Sequence, residues 1–171
     1  MMDLKKHIHD VPDFPKKGIV FKDITPLLAD AEAFAETIDR LCEPFIGKGV
    51  QVVAGIESRG FLLATPMAYR LGAGVVPIRK KGKLPRAVKS ASYALEYGTD
   101  SIEAHVDSFA QGTKVLLVDD VLATGGTAAA AVQLIESIGG RLVGACFLIE
   151  LGFLGGRKKL GNRDIRSLVS Y

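Results

Sequence analysis

The chain has 171 residues, of which 48% are hydrophobic and 24% are charged, and this composition suits one folded domain over residues 1–171 and excludes a disordered chain. No run approaches the roughly 18 consecutive apolar residues of a membrane span, and the first ten residues lack the apolar region of a secretory signal, so neither is expected. The net charge of +3 would suit nucleic acid, but a small, highly phosphorylated substrate explains the basic cluster at residues 79–89 equally well.

The hydrophobic pattern alternates between helices and strands along the chain. Helices are predicted over residues 31–46, 60–71 and 126–138, and strands over residues 51–56, 74–79, 114–119 and 142–149. Pro66 is expected to kink the second helix, and Pro77 is expected to confine its strand to a sheet edge or a bulge. Alternating helices and apolar strands predict an α/β fold whose mostly parallel central sheet is flanked by helices.

Two segments depart from this alternation. Residues 11–28 are rich in Pro and Gly and carry aromatic side chains, and residues 80–104 combine many Lys and Arg with two short alternating pieces, 92–97 and 101–104. The second segment predicts a β-ribbon or a lid loop. Long irregular segments in a compact domain are usually functional or disordered, so both are candidate parts of a site.

The two cysteines, Cys42 and Cys146, have neither metal-ligand spacing nor the pattern of a disulfide framework. Both stand in apolar sequence surroundings, which predicts two small buried side chains. A reducing compartment, the cytoplasm, is the simplest location for such a chain.

The most informative stretch is residues 115–127, where an apolar strand is followed by Asp119, Asp120 and a Gly-rich loop (residues 123–127) that opens a helix. Ligands of open parallel sheets bind beyond the carboxyl ends of the strands. A Gly-rich turn at a helix N-terminus directs backbone N–H groups at an anion, and the two carboxylates could accept hydrogen bonds from a diol. The alternative is a plain strand-turn-helix with Thr127 as the N-cap. Neither a P-loop nor a dinucleotide-binding spacing is present.

This thirteen-residue stretch closely resembles the motif that binds phosphoribosyl pyrophosphate (PRPP) in type I phosphoribosyltransferases. The resemblance implies the fold of that family and assigns the ribose hydroxyls to Asp119 and Asp120. The residues that it assigns to the 5′-phosphate are Ala123, Thr124, Gly125, Gly126 and Thr127.

Three further segments, residues 12–26, 55–63 and 79–98, resemble the adenine-specific branch of the family, and together the similarity covers residues 11 to 152. This branch implies transfer of the phosphoribosyl group of PRPP to adenine, which gives AMP and pyrophosphate. It also implies a small N-terminal base-binding hood over about residues 1–30 and a flexible lid over about residues 80–104.

The resemblance places adenine against the N-terminal segment, with Phe21 stacking on the purine and the Val20 backbone reading the base edge. A hydrophobic plug that anchors the segment is an alternative role for Phe21. Most family members carry Arg at the position of Lys22, and Lys cannot reproduce the planar, bidentate contact of a guanidinium. The role of Lys22 at the base is therefore in question, more than the base preference itself.

The resemblance also assigns pyrophosphate contacts and catalysis. The residues assigned to pyrophosphate are Glu57, Ser58, Arg59, Lys80 and Lys83, and those assigned to catalysis are Glu96, Arg59 and Tyr97. Glu96 would assist proton movement at the purine N7, and Tyr97 would pack over the reacting ribose. The alternatives are a surface ion pair between Glu57 and Arg59, a solvated run of charge for the lysines, and a β-ribbon with exposed Glu96 and buried Tyr97.

The implied cofactor is Mg²⁺, bound mainly through substrate oxygens and water, and the family implies a homodimer. The competing interpretations are transfer to another base, such as xanthine, hypoxanthine-guanine or orotate, and a PRPP-sensing regulator that binds nucleic acid. A regulator would need a DNA- or RNA-binding module, for which the first ten and last twenty residues are too few. We therefore expect small-molecule partners, with neither a nucleic-acid nor a membrane partner. A structural domain without activity would leave the acidic and Gly-rich motif without a purpose.

Overall fold

A computed structural model describes residues 2–94 and 98–171. The N-terminal part contains two short antiparallel strands, β1 (His9–Pro12) and β2 (Val20–Asp23), followed by the helices α1 (Thr25–Ala29) and α2 (Ala31–Cys42). The remaining helices are α3 (Arg59–Leu71) and α4 (Gly126–Ile138). None of the helices in this described part of the chain is long and apolar enough to cross a membrane.

A seven-stranded sheet forms the centre of the fold. Its strands are β3 (Val52–Ile56), β4 (Gly74–Lys80), β5 (Val88–Ala94), β6 (Thr99–His105), β7 (Lys114–Leu122), β8 (Arg141–Glu150) and β9 (Ile165–Ser170). The strand order is β5-β6-β4-β3-β7-β8-β9, with parallel pairing from β4 to β9 and antiparallel pairing of β6 with β4 and β5. The predicted α/β fold with a mostly parallel sheet is confirmed, and β9 extends the sheet beyond residue 152, where the resemblance to the family ends.

The core has two apolar layers, one on each face of the sheet. On β7, Leu116 and Val118 pack with the layer that contains α2 and α3, whereas Val115 and Leu117 pack with α4. Successive side chains of a strand point to opposite faces, so a continuous apolar run is what a strand covered on both faces requires. This explains why β7 is the clearest strand in the sequence. The same packing holds β7 between α3 on one face of the sheet and α4 on the other.

The structure corrects one helix boundary. The predicted helix over residues 31–46 ends as an α-helix at Cys42, and a 3-10 helix spans Glu43–Phe45. Pro44 explains the change, because it has no backbone N–H and its ring clashes with the preceding turn of an α-helix. Pro66, by contrast, does not end its helix, because α3 continues past it to Leu71.

Pro77 was expected to place its strand at a sheet edge or a bulge, and β4 instead lies between β3 and β6. The pairing of β4 with β6 covers only Arg79 and Lys80, so Pro77 itself pairs with Gly55 of β3 alone. The side of Pro77 on which a backbone N–H would donate therefore faces no strand. Proline is tolerated at this one position of β4 although β4 as a whole is not an edge strand.

Candidate active site

A cavity of about 680 Å³ opens beyond the carboxyl ends of β3 and β7, where Ile56 and Val121 form part of its wall. This is the position at which parallel α/β sheets bind ligands. The predicted site residues that line it are Val20, Phe21, Lys22, Glu57, Ser58, Arg59, Lys80, Asp119, Asp120, Ala123 and Thr127. Segments far apart in the sequence therefore meet at one place.

The Gly-rich loop lines a second, smaller pocket of about 70 Å³ that includes Thr124, Gly125 and Gly126 and shares Asp119 with the large cavity. Gly125 is the N-cap of α4 in a left-handed conformation (φ +77°), and no side chain caps the helix. The first N–H groups of an α-helix have no partner within the helix, so here they are available to an anion. Thr127 lies inside the first turn, and the alternative in which it is the N-cap is wrong.

The paired carboxylates differ in their surroundings. Asp120 is buried, with 5% of its surface exposed, whereas Asp119 is partly exposed and its Oδ1 accepts a hydrogen bond of 2.9 Å from the backbone N–H of Asp120. Burial, and next the neighbouring charge of Asp120, raise the pKa of Asp119 well above its ordinary value. Burial also raises the pKa of Asp120, against the opposing effect of Arg59. The site thus holds two carboxylates that a ligand with hydroxyl donors would stabilise in their charged form.

Arg59 connects the carboxylates to the N-terminal segment. Its Nε lies 2.7 Å from Oδ2 of Asp120, yet this oxygen has no hydrogen-bond partner among the described residues, so the contact is an ion pair without hydrogen-bond geometry. The guanidinium carbon lies 4.6 Å from the ring centroid of Phe21, and that ring meets Phe14 edge-on at 5.2 Å. Arg59 therefore keeps donor capacity for a ligand while it supports an aromatic ring at the cavity wall.

Glu57 does not pair with Arg59, so the surface ion pair considered from the sequence is not formed. Its Oε2 instead accepts hydrogen bonds from Nε of Arg79 at 3.0 Å and from the backbone N–H of Lys80 at 2.8 Å. Glu57 thereby fixes the end of β4, where the ribbon of residues 80–104 begins. Ser58 precedes α3, and its side chain does not cap that helix.

Within the ribbon, the structure brings Lys80 to the cavity and leaves Lys83 exposed outside its wall. Nζ of Lys80 lies 3.2 Å from Oδ2 of Asp100, which also accepts a hydrogen bond of 3.2 Å from the hydroxyl of Tyr93. The hydrogen bond to Asp100 is the main cause that raises the pKa of Lys80. Neither Tyr93, which lines the cavity, nor Asp100, which contacts both Tyr93 and Lys80, was named from the sequence. The predicted catalytic residues Glu96 and Tyr97 lie outside the described residues.

Lys22 lines the cavity, but its ammonium group contacts protein. Nζ donates to both carboxylate oxygens of Asp10, at 2.7 and 2.8 Å, and lies 3.8 Å from the ring centroid of Tyr171. Asp10 and Lys22 are cross-strand neighbours in the β1–β2 pair. The lysine thus ties the N-terminal strands to the residue after β9, and it has little donor capacity left for a base.

Gly60 is a further site residue that carried no separate signal in the sequence. A Cβ atom at Gly60 would lie 2.9 Å from Oδ1 of Asp119 and 3.1 Å from the carbonyl oxygen of Val118. The first turn of α3 can therefore lie against the end of β7 only because residue 60 has no side chain. This close approach brings Arg59 within reach of Asp120.

Comparison with known proteins places the chain among characterised sequences and structures. Residues 21–165 match the family described as Phosphoribosyl transferase domain. The adenine phosphoribosyltransferase of Geobacter metallireducens is 55% identical over 171 residues, with complete coverage of both chains. The crystal structure of adenine phosphoribosyltransferase from Thermoanaerobacter pseudethanolicus superposes with a TM-score of 0.95 at 53% identity, covering 98% of each chain. The Saccharomyces cerevisiae enzyme, complexed with D-2,5-dideoxy-2,5-imino-altritol 1,6-bisphosphate and adenine, gives a TM-score of 0.89 at 42% identity, covering 95% of this chain and 94% of that one.

Proposed function

Because the chain belongs to the phosphoribosyltransferase family, and within it to the adenine phosphoribosyltransferases, we propose that it joins adenine to PRPP in purine salvage, giving AMP and pyrophosphate. The observation that carries the proposal is a cavity with two adjacent carboxylates and an aromatic ring backed by an arginine, joined at Asp119 to a small pocket at an uncapped Gly-rich helix N-terminus. These groups match a phosphate, a ribose diol and a purine, in that order along the cavity.

The proposed reaction is a displacement at the anomeric carbon of PRPP. The bond from this carbon to the pyrophosphate oxygen breaks as the bond to the adenine N9 forms, and adenine loses one proton. The Gly-rich loop would hold the 5′-phosphate, Asp119 and Asp120 would accept hydrogen bonds from the ribose hydroxyls, and Arg59 would donate to the leaving pyrophosphate. We propose that Glu96 assists proton movement at the purine N7 and that Tyr97 packs over the reacting ribose.

Mg²⁺ is the cofactor that this function implies. In the described ranges, 2–94 and 98–171, no group of three or more His, Cys, Asp and Glu residues could hold a metal ion. Mg²⁺ usually keeps several water ligands and binds through one or two carboxylates together with substrate phosphates, so Asp119 and Asp120 fit as its nearby acceptors. The ion would neutralise charge on the diphosphate of PRPP. We propose that it enters with the substrate.

The ribbon of residues 80–104 is proposed as the lid over this reaction. Closure would exclude water, which otherwise hydrolyses PRPP. Lys80 supports the proposal, because it lines the cavity and its ammonium group lies 3.2 Å from Oδ2 of Asp100, a residue of the same ribbon. Exchange of Asp100 for pyrophosphate would bring the ribbon onto the substrate. Lys83 would join the pyrophosphate only in such a closed state.

Phe21→Leu tests the base site. We expect the KM for adenine to rise about tenfold, because stacking of a base on an aromatic ring contributes about 1–3 kcal/mol, while the KM for PRPP stays within a factor of about two. Steady-state kinetics with each substrate varied in turn measure both constants. Phe14→Leu is the matched control, since Phe14 contacts Phe21 edge-on, is 51% exposed and does not line the cavity. An unchanged adenine KM in Phe21→Leu would assign Phe21 to anchoring alone.

The homodimer remains a proposal that rests on the outer face of α3. Leu62 and Tyr69 are 50% and 91% exposed there, and they lie two turns apart on one side of the helix. Exposed apolar side chains grouped on one face mark interaction surfaces, and a second copy of this chain is the proposed partner.

Leu62→Glu is expected to convert a dimer into a monomer in sedimentation velocity, because a carboxylate would be buried without a partner. Val106→Glu is the control, since Val106 is similarly exposed, at 49%, and lies outside α3. A dimer that survives Leu62→Glu would contradict the proposed interface.

We further propose one phosphoribosyltransferase domain over residues 1–171 and a cytoplasmic location. Cys42 and Cys146 are both free and buried, which supports a reducing compartment. Burial raises the pKa of Cys42 to about 11, so its thiol stays protonated and unreactive at neutral pH.

A base panel tests the proposed function. PRPP and Mg²⁺ are incubated with adenine, hypoxanthine, guanine, xanthine or orotate, and the nucleotide product is separated by chromatography. AMP from adenine, with little product from the other bases, is the expected result. Product from another base alone would support the proposed PRPP site but contradict the assignment of adenine recognition to the Val20-Phe21 segment. Binding of PRPP without product from any base would favour a PRPP-sensing regulator.

A further inference from the structure

Two glycines from distant parts of the chain face each other behind the Gly-rich loop. A Cβ atom on Gly125 would lie 2.3 Å from the carbonyl oxygen of Gly156, and a Cβ atom on Gly156 would lie 2.1 Å from the carbonyl oxygen of Ala123. Real Cβ atoms essentially never approach backbone atoms this closely, and neither neighbour is a flexible side chain that could move aside. The main chain at residues 123–125 is therefore in direct contact with the main chain at Gly156. Neither Gly125 nor Gly156 has room for a side chain.

Gly156 belongs to a short segment, residues 155–160, that is anchored on both sides, and we call it the Gly-Gly-Arg segment. On one side Arg157 donates from Nε to Glu150 at 2.9 Å and from Nη1 to the carbonyl oxygen of Ile165 at 2.9 Å, which ties it to β8 and β9. On the other side Leu160 is buried in the apolar layer that contains α4. The segment is thus a fixed surface rather than a free loop.

The position of the Gly-rich loop depends on this surface. Gly125 has φ +77° and is the N-cap of α4 without any capping side chain, so side-chain hydrogen bonds do not hold it in place. Its backbone packs instead on Gly156, which is itself buried. Any shift of Gly156 toward β7 would displace the N–H groups that face the small pocket.

We propose that Gly156 is a positioning residue for phosphate binding, and that Arg157 acts with it by anchoring the segment. The inference rests on the proposed function, since it concerns the loop assigned to the 5′-phosphate. It gives Arg157 a role in holding the Gly-Gly-Arg segment against β8 and β9. The function of Gly156 is to present the loop backbone, and it contacts no substrate.

Gly156→Ala tests this inference. We expect the KM for PRPP to rise about 10- to 100-fold, since a misplacement of about 1 Å can cost a factor of about 100, while the KM for adenine at saturating PRPP changes less than about twofold. The dissociation constant of ribose 5-phosphate, measured by calorimetry, should rise by a similar factor. Gly152→Ala is the matched control, because a Cβ there would lie 3.5 Å from its nearest neighbour, the carbonyl oxygen of Tyr171, at ordinary contact distance.

A second control separates positioning from loss of stability. Leu41→Ala removes a buried side chain of α2, on the opposite face of the sheet from α4, and should lower the melting temperature without changing the KM for PRPP. Arg157→Gln adds no atoms at the close contact and is expected to raise the KM for PRPP about threefold to tenfold, so it carries the test if Gly156→Ala does not fold.

The outcomes separate the inference from the proposed function. Wild-type affinity for ribose 5-phosphate retained in both Gly156→Ala and Arg157→Gln would overturn the inference, as would an equal rise in the KM values for PRPP and adenine. Failure of the wild-type protein itself to bind ribose 5-phosphate and PRPP would instead overturn the proposed function.

Discussion

Asp119→Asn is expected to lower kcat/KM for PRPP about 100-fold and, at neutral pH, to raise the stability of the protein. The loss of activity follows from the loss of a charged acceptor, whose hydrogen bonds contribute about 1.5–3 kcal/mol each. The gain in stability follows from removing a charge that is partly shielded from water and lies beside Asp120, while the amide oxygen of Asn still accepts the hydrogen bond from the Asp120 N–H. Single stabilising substitutions commonly contribute about 0.5–2 kcal/mol. For a domain of this size, about 1 kcal/mol corresponds to about 2–4 °C in melting temperature.

The pH dependence of that gain has a definite sign. The pKa of Asp119 is raised in the folded protein, so the folded state holds this proton more tightly than the unfolded chain does. The stability of the wild-type protein therefore falls as the pH rises from the ordinary pKa of 3.8 through the raised value, and the penalty is complete above it. The advantage of Asp119→Asn should be present at neutral pH and should vanish as the pH falls to 3.8.

Asp164→Asn is the control for the same chemical change. Hydrogen bonding to Lys48, whose Nζ lies 2.7 Å from Oδ2, is the main cause that lowers the pKa of Asp164. Its charge therefore stabilises the folded state above its ordinary pKa, and Asp164→Asn should lower the stability at neutral pH by up to about 1 kcal/mol without affecting activity. Thermal unfolding over a series of pH values measures both variants. A lower melting temperature for Asp119→Asn at neutral pH would contradict a raised pKa of Asp119 in the folded protein.

Arg59→Ala is expected to lower kcat/KM about 10²- to 10³-fold, which is typical of removing one donor that stabilises charge in the transition state. Its effect on stability should have the opposite sign to that of Asp119→Asn. Loss of the guanidinium leaves the carboxylate of Asp120, only 5% exposed, without its counter-charge at 2.7 Å, and a buried charge without a partner costs about 1–3 kcal/mol or more. Two neighbouring substitutions would thus both remove activity but move the melting temperature in opposite directions.

Two further variants test the cause of that loss in stability. Arg70→Ala lies in the last turn of the same helix, and its partner Asp39 is 62% exposed, so stability and activity should both change little. Adding Asp120→Asn to Arg59→Ala should restore much of the stability without restoring activity. Unfolding in urea gives the free energies. Equal stability of Arg59→Ala with and without Asp120→Asn would contradict an ion pair between these two residues.

The sequence was most informative where the groups that form the site are close to one another along the chain. The Gly-rich loop and its two acids follow one another within thirteen residues, so strand, carboxylates and helix start could be predicted together. The partner of Arg59 could not, because Asp120 reaches it only through the pairing of β3 with β7 and the close approach of Gly60. The same holds for Lys22, whose partner Asp10 depends on the register of the β1–β2 pair.

Two other features had no signal in the sequence. Gly156 looks like any loop glycine until the fold brings it against Gly125. The contacts of Glu57 were equally hidden, because its partner Arg79 stands at the end of a neighbouring strand and a charged pair of this kind has no fixed spacing. The sequence pattern therefore predicts the groups that contact a ligand better than the groups that hold them in position.

The arrangement of ligand groups along the cavity is the central claim, and a crystal structure with AMP tests it most directly. We expect the phosphate in the small pocket of the Gly-rich loop, both ribose hydroxyls within hydrogen-bond distance of Asp119 and Asp120, and the adenine ring stacked on Phe21. A phosphate bound elsewhere, or an adenine ring remote from Phe21, would contradict the account even if the protein forms AMP.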